Sequence, residues 1–294
     1  MEGKNTIKEL AETYRQLYIA PKNSKAALEY KAVVLNGEEP ESKSLSHFIT
    51  SDRDSCVLTD TPAGKVQVIT LAERADFETF LQIMAFRCIP QEIPKTQGAS
   101  ILDGVINWRR IEAHKEEFLK EELKKGNGDP DWDQEFQRFT SDKKNYTDAI
   151  IILSVGPYSN IGYSDAGFSK EEWIRYSDTI RRYHECTHFI CRRLYPEMID
   201  AIWDELVADA VGLYAAFNRY DLRLAQTFLG IRDGRYVGGR LENYLEKSGE
   251  KDIDELSSKV YGVLTEFDGM INSGTYDKAE DVLFMLEEKQ SELW

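Results

Sequence analysis

Residues 170–218 constrain this chain more than any other stretch, because they carry the periodicity of two successive helices parted at Pro196. The first, over 170–194, contains His184-Glu185-Cys186-Thr187-His188. Two histidines four residues apart lie only about 40° apart around a helix, so both imidazoles reach toward one point. Steps of about 100° per residue place Trp173, Ile180, Thr187 and Cys191 on the same stripe, which marks it as the inward face. Imidazoles turned inward bring ring nitrogens that must find partners. A metal ion takes one nitrogen of each ring, and acceptors behind the rings take the others. Two core histidines bonded to backbone carbonyls is the competing account. Glu185 weighs against it, because a carboxylate beside the first histidine is placed to take a proton from water at the metal.

The second helix, read over 197–218, is apolar nearly all round and therefore buried. Glu205 and Asp209 sit one turn apart on it and share a face with Ile202, Leu206 and Leu213. Buried carboxylates are costly unless they meet a cation or a donor. Glu205 thus offers a third metal ligand, and Asp209 an acceptor for the outer N–H of a ligating histidine. Asp204 points about 100° away from Glu205. It reads as an acid near the helix start, where it suits the dipole.

His184-Glu185-x-x-His188 followed by Glu205-x-x-x-Asp209 resembles the gluzincins, the zinc metallopeptidases that include thermolysin and the aminopeptidases. The resemblance covers residues 184–209 only. It implies one zinc per chain held by His184, His188 and Glu205, with Asp209 behind a histidine. It also implies peptide-bond hydrolysis through a zinc-bound water, with Glu185 as general base. The metzincin layout needs a further histidine after His188, and none follows. For the oxyanion the candidates are Tyr236 and Arg240, in the glycine-rich segment 234–240. Ser159 and Asn160, just past a strand at 148–155, are candidates for binding a peptide substrate. The aminopeptidase G-x-M-E-N motif is missing, which favours endopeptidase action.

Three other readings remain. A zincin-like protein without activity would serve binding or regulation. A peptidase could have its cleft blocked by its own N-terminal segment. A di-iron carboxylate protein would need a second E-x-x-H, and neither His47 nor His114 has a glutamate three residues before it. Cys191 reads as a core cysteine, His114 as solvated on a charged helical face, and Asn107-Trp108 as packing. His47 has no context.

A net charge of −15 repels phosphate and argues against nucleic acid. No apolar run approaches the roughly 20 residues that span a bilayer. Residues 1–20 lack the apolar core of a signal peptide, and Cys56, Cys88, Cys186 and Cys191 form no C-x-x-C pair. These features lead to the expectation of a cytoplasmic protein. Helices are expected at 6–18, 76–87, 102–125, 253–270 and 276–293, with a short one opened by Asp129-Pro130. A hairpin is expected around 60–64. The stretch 27–35 suits a strand or a helix. Strands early and helices late give an α+β class: a zincin-like core with a small N-terminal sheet and a mainly helical C-terminal half. The expected organisation is an α+β region over 1–147, a metal-binding core over 148–245 and a helical region over 246–294, in one compact unit.

Overall fold

The computed structural model describes residues 5–197 and 200–294. Met1–Lys4, at the head of the polar N-terminal stretch, and Met198 and Ile199, at the expected start of the second long helix, lie outside the described residues. The class is α+β. The chain divides into two compact units rather than one. The first runs up to Leu58 and includes Val66–Ile93 and Ile101–Ser154; the second comprises Thr59–Lys65, Pro94–Ser100 and Val155–Trp294.

The first unit is built on α1 (Thr6–Thr13), α2 (Ala26–Leu35), most of β1 (Ser55–Thr61), β2 (Gly64–Leu71) and β3 (Ala99–Ile106), and on α3 (Arg74–Met84), α4 (Trp108–Lys124), α5 (Trp132–Thr140) and β4 (Thr147–Ser154). The open choice at 27–35 resolves to helix, since Ala26, Tyr30, Val33 and Val34 fall on one buried helical stripe. The helix expected over 6–18 stops at Thr13, and a 3₁₀ turn, Arg15–Tyr18, follows. The strands order β1-β2-β4-β3, with β2 parallel to β4 in the register Val68↔Ile151. In β4 the run Ile150 to Leu153 is wholly buried, the signature of a strand covered on both faces. It is an interior strand, and the sheet edges fall to β1 and β3.

The helix expected over 102–125 is a strand followed by a helix. Ile101, Leu102, Val105 and Ile106 belong to β3, and Asn107 Oδ1 then caps α4 by accepting from Arg110 N–H at 3.1 Å. Trp108 does pack, and its Nε1 donates to Val34 O at 2.9 Å. His114 is not a solvated residue. Its ring stacks on Phe139 with centroids 4.0 Å apart, and its Nε2 lies 2.6 Å from Glu135 Oε1.

The second unit holds α6 (Tyr163–Ala166), α7 (Lys170–Leu194), α8 (Ala201–Phe217), α9 (Leu222–Leu229), the short hairpin β5 (Ile231–Arg232) and β6 (Arg235–Tyr236), α10 (Leu245–Ser248), α11 (Ile253–Ser273) and α12 (Ala279–Leu293). The expected boundary at 246 does not separate the last helices. A helix apolar on all sides needs cover on every face, and α12 packs on α8 with Val282, Leu283 and Leu286 fully buried. Among the described residues no helix is long and apolar enough to cross a membrane.

Candidate metal centre

Two capped helices of the second unit carry the site. α7 opens on a capping box: Glu172 N–H donates to Ser169 Oγ, and Ser169 N–H donates to the Glu172 carboxylate at 3.1 Å. Its buried stripe then steps through Trp173, Ile180, His184, His188 and Cys191. α8 opens on Asp200, whose carboxylate accepts from the N–H groups of Ile202 and Trp203 at 2.9 Å each. From Ile202 to Tyr214 every residue of α8 is buried except Glu205.

Gly212 lets the two helices approach closely. A Cβ there would lie 2.7 Å from the carbonyl oxygen of Ile180, a backbone atom that cannot rotate away. Gly212→Ala is therefore expected to cost about 1–3 kcal/mol by overpacking. Gly269→Ala on α11, where an added Cβ meets nothing within 4 Å, is the control. Thermal melts of the two variants check this; equal melting temperatures would remove the close-contact argument.

His184 Nε2 and His188 Nε2 stand 3.0 Å apart with their rings perpendicular, at 90°. Glu205 completes the cluster, its Oε2 at 3.7 Å from His184 Nε2 and its Oε1 at 3.6 Å from His188 Nε2. Both outer ring nitrogens meet carboxylates: His184 Nδ1 is 3.0 Å from Asp209 Oδ1, and His188 Nδ1 is 2.7 Å from Asp204 Oδ2. A carboxylate only accepts, so each Nδ1 carries a hydrogen, and each Nε2, once deprotonated, offers its lone pair to a metal. Two such lone pairs beside a carboxylate repel one another unless a proton or a metal cation joins them. Zinc bonds of about 2.0–2.2 Å in a tetrahedral arrangement set neighbouring ligand atoms roughly 3.3–3.5 Å apart. The three donors are spaced close to that, and His184, His188 and Glu205 form a possible metal-binding triad.

The surrounding charges favour a cation. Burial by itself lowers the His188 pKa, but the Asp204 hydrogen bond and the charges of Asp204, Glu205 and Glu185 outweigh it and raise the pKa to about 9. Behind His184, Asp209 gathers three partners: Tyr158 Oη donates to it at 2.6 Å, His184 Nδ1 bonds to it, and the Arg240 guanidinium pairs with it directly. Burial works to raise the Asp209 pKa. The Arg240 charge and those hydrogen bonds win and hold it at about 2. Burial likewise opposes ionisation of Asp204 and Glu205, yet the neighbouring histidines hold both below their usual range.

A cleft of about 310 Å³ opens at the centre, within the second unit. Glu185, His184 and Glu205 line it, together with Tyr158, Ser159, Arg181, Arg240, Asn243, Tyr244 and a rim from Pro94 to Ala99. Glu185 is half-buried and has no hydrogen-bond partner among the described residues. The cleft size suits a few ligand side chains rather than a folded partner.

Several expected residues stand elsewhere or act differently. Tyr236 is absent from the cleft lining. Its Oη accepts from Gly239 N–H at 2.9 Å and donates to Glu242 at 2.7 Å, so the β5–β6 hairpin keeps it to its own loop. Arg240 does line the cleft, but as a clamp behind His184: Nη2 pairs with Asp209 and Nη1 donates to Tyr158 Oη at 3.3 Å. Ser159 lines the cleft and Asn160 does not. Both hold a left-handed backbone, at φ 49° and 57°, which costs more at Ser159 than at Asn160. Asp204 is no bare dipole partner, since it orients His188. The signal for it was present in the sequence: an acid in a stretch apolar on all sides is buried and needs a donor. Tyr158 and Tyr244 carry no comparable signal. Tyr244 faces Glu205, and burial first, then the Glu205 and Asp209 charges, raise its pKa against the opposing Arg240 charge.

A family model described as "Family of unknown function (DUF7005)" matches residues 2–287. The chain belongs to this family. Neither a curated protein nor a solved structure matches it. The family match takes in both compact units and the whole of α7 and α8, so the helices that carry the triad are part of the family body and not an appendage.

Proposed function

We propose that this protein is a zinc-dependent peptidase of the gluzincin type, with α7 and α8 as its zincin-like core. The observation that carries the reading is the convergence of two Nε2 lone pairs and Glu205 in a cleft that also holds the unpartnered Glu185. Zinc, when bound, supplies Lewis acidity toward a carbonyl oxygen and acidifies water. His184, His188 and Glu205 hold it, while Asp209 and Asp204 keep both imidazoles in the ligating tautomer. Glu185 takes the proton of the attacking water and returns it to the leaving amine. Tyr244 takes the place foreseen for Tyr236, as a hydroxyl in the cleft able to donate to the oxygen that gains charge.

Elemental analysis of the purified wild type beside His188→Ala tests the reading. A single zinc site predicts about one zinc per chain in the wild type and its loss in the variant. No metal after zinc is supplied would overturn the proposal. Two irons per chain would revive the carboxylate alternative. Zinc uptake with no turnover of any peptide would leave the binding or regulatory alternative.

A further inference from the structure

The carboxylate that orients His188 is only half satisfied. Asp204 Oδ2 holds the imidazole, but Oδ1 is buried without a hydrogen-bond partner among the described residues. α12 supplies what stands nearby. Glu287 of that helix is 4% exposed, and Cys191 Sγ donates to its Oε1 at 3.9 Å. The same thiol is also within hydrogen-bonding reach of the Asp204 carboxylate. Trp203 Nε1, also buried, approaches the Glu287 carboxyl without reaching good hydrogen-bond geometry. Two neighbouring buried carboxyls do not both ionise readily. Burial first, and with it the Asp204 charge, pushes Glu287 up to about 7 against the Trp203 and Cys191 hydrogen bonds. A protonated carboxyl there is a donor of the kind that Asp204 Oδ1 lacks.

We infer that Glu287 is a positioning residue of the metal centre: with the Cys191 thiol beside it, its carboxyl holds Asp204, and through Asp204 the Nδ1–H of His188. The inference rests on the reading of His184, His188 and Glu205 as metal ligands. It also gives the C-terminal helix α12 a part in metal retention, although no residue of α12 lines the cleft.

The test is zinc affinity, measured by competition with a chromophoric chelator on metal-stripped full-length protein, with circular dichroism to establish folding. Glu287→Leu removes the donor, and Glu287→Gln keeps one. Removing a group that orients a ligating histidine typically weakens metal binding by about 10–100-fold. That loss is expected for Glu287→Leu, with Glu287→Gln staying within roughly threefold of wild type. A merely structural role would lower the metal-free melting temperature and leave zinc affinity unchanged. A folded Glu287→Leu that binds zinc as tightly as wild type overturns the inference. Should that variant fail to fold, Cys191→Ala removes the intervening thiol instead. Weaker zinc binding there supports the inference, and unchanged affinity overturns it. A wild type that takes up no zinc is a separate failure, because it sinks the metal reading itself.

Discussion

Glu185→Gln is expected to retain zinc and to hydrolyse peptides about 10²–10⁴-fold more slowly than wild type, the usual span for losing a general base. The substitution keeps the shape of the side chain and removes only its ability to take a proton. Among the described residues Glu185 has no hydrogen bond that the amide would break, so folding should be untouched. Its carboxylate is also not one of the three converging donors, which is why metal content should hold. Turnover of a peptide library by both proteins, with zinc measured on the same samples, checks the expectation. Equal rates would remove Glu185 from the chemistry. Loss of zinc along with activity would make it a ligand rather than a base.

Asp209→Ala is expected to be among the most damaging substitutions for folding, at about 3–5 kcal/mol, because it strands a buried charge. The Arg240 guanidinium pairs with Asp209, and the Tyr158 hydroxyl and His184 Nδ1 bond to the same carboxylate. Deleting it leaves the Arg240 guanidinium without its anion and takes the carboxylate acceptor from Tyr158 and His184. Urea unfolding of metal-free protein gives the cost without the contribution of bound zinc. The double variant Asp209→Ala/Arg240→Leu should recover part of the loss, since it removes the stranded charge as well. A single-variant cost below about 1 kcal/mol would mean the pair is hydrated and weak.

What could be read from the sequence was whatever neighbours along the chain encode. A spacing of four places His184 and His188 on one helical stripe, and the same spacing places Glu205 and Asp209 on another. Ile150 to Leu153 announces a buried strand, and the early strands with late helices announce the α+β class. Errors arose where a local signal was outweighed. Gly104 and the β-branched residues of 101–106 belong to a strand although a helix follows without a break. Tyr236 looked available to the cleft until the hairpin turned its hydroxyl back onto Gly239 and Glu242.

The tertiary structure alone decided which groups meet across long separations. Tyr158 and Asp209 are 51 positions apart, and Cys191 and Glu287 are 96 apart. No periodicity links such pairs. The side-chain pattern of a helix says which face is buried, but not which residue of another element will cover it, nor at what height. Those choices follow from packing: Gly212 against the Ile180 carbonyl sets how closely α7 and α8 approach, and α12 closes the apolar back of α8. Sequence determined that two imidazoles and a carboxylate would face inward. Packing determined that they converge on one point, each imidazole held from behind by its own carboxylate.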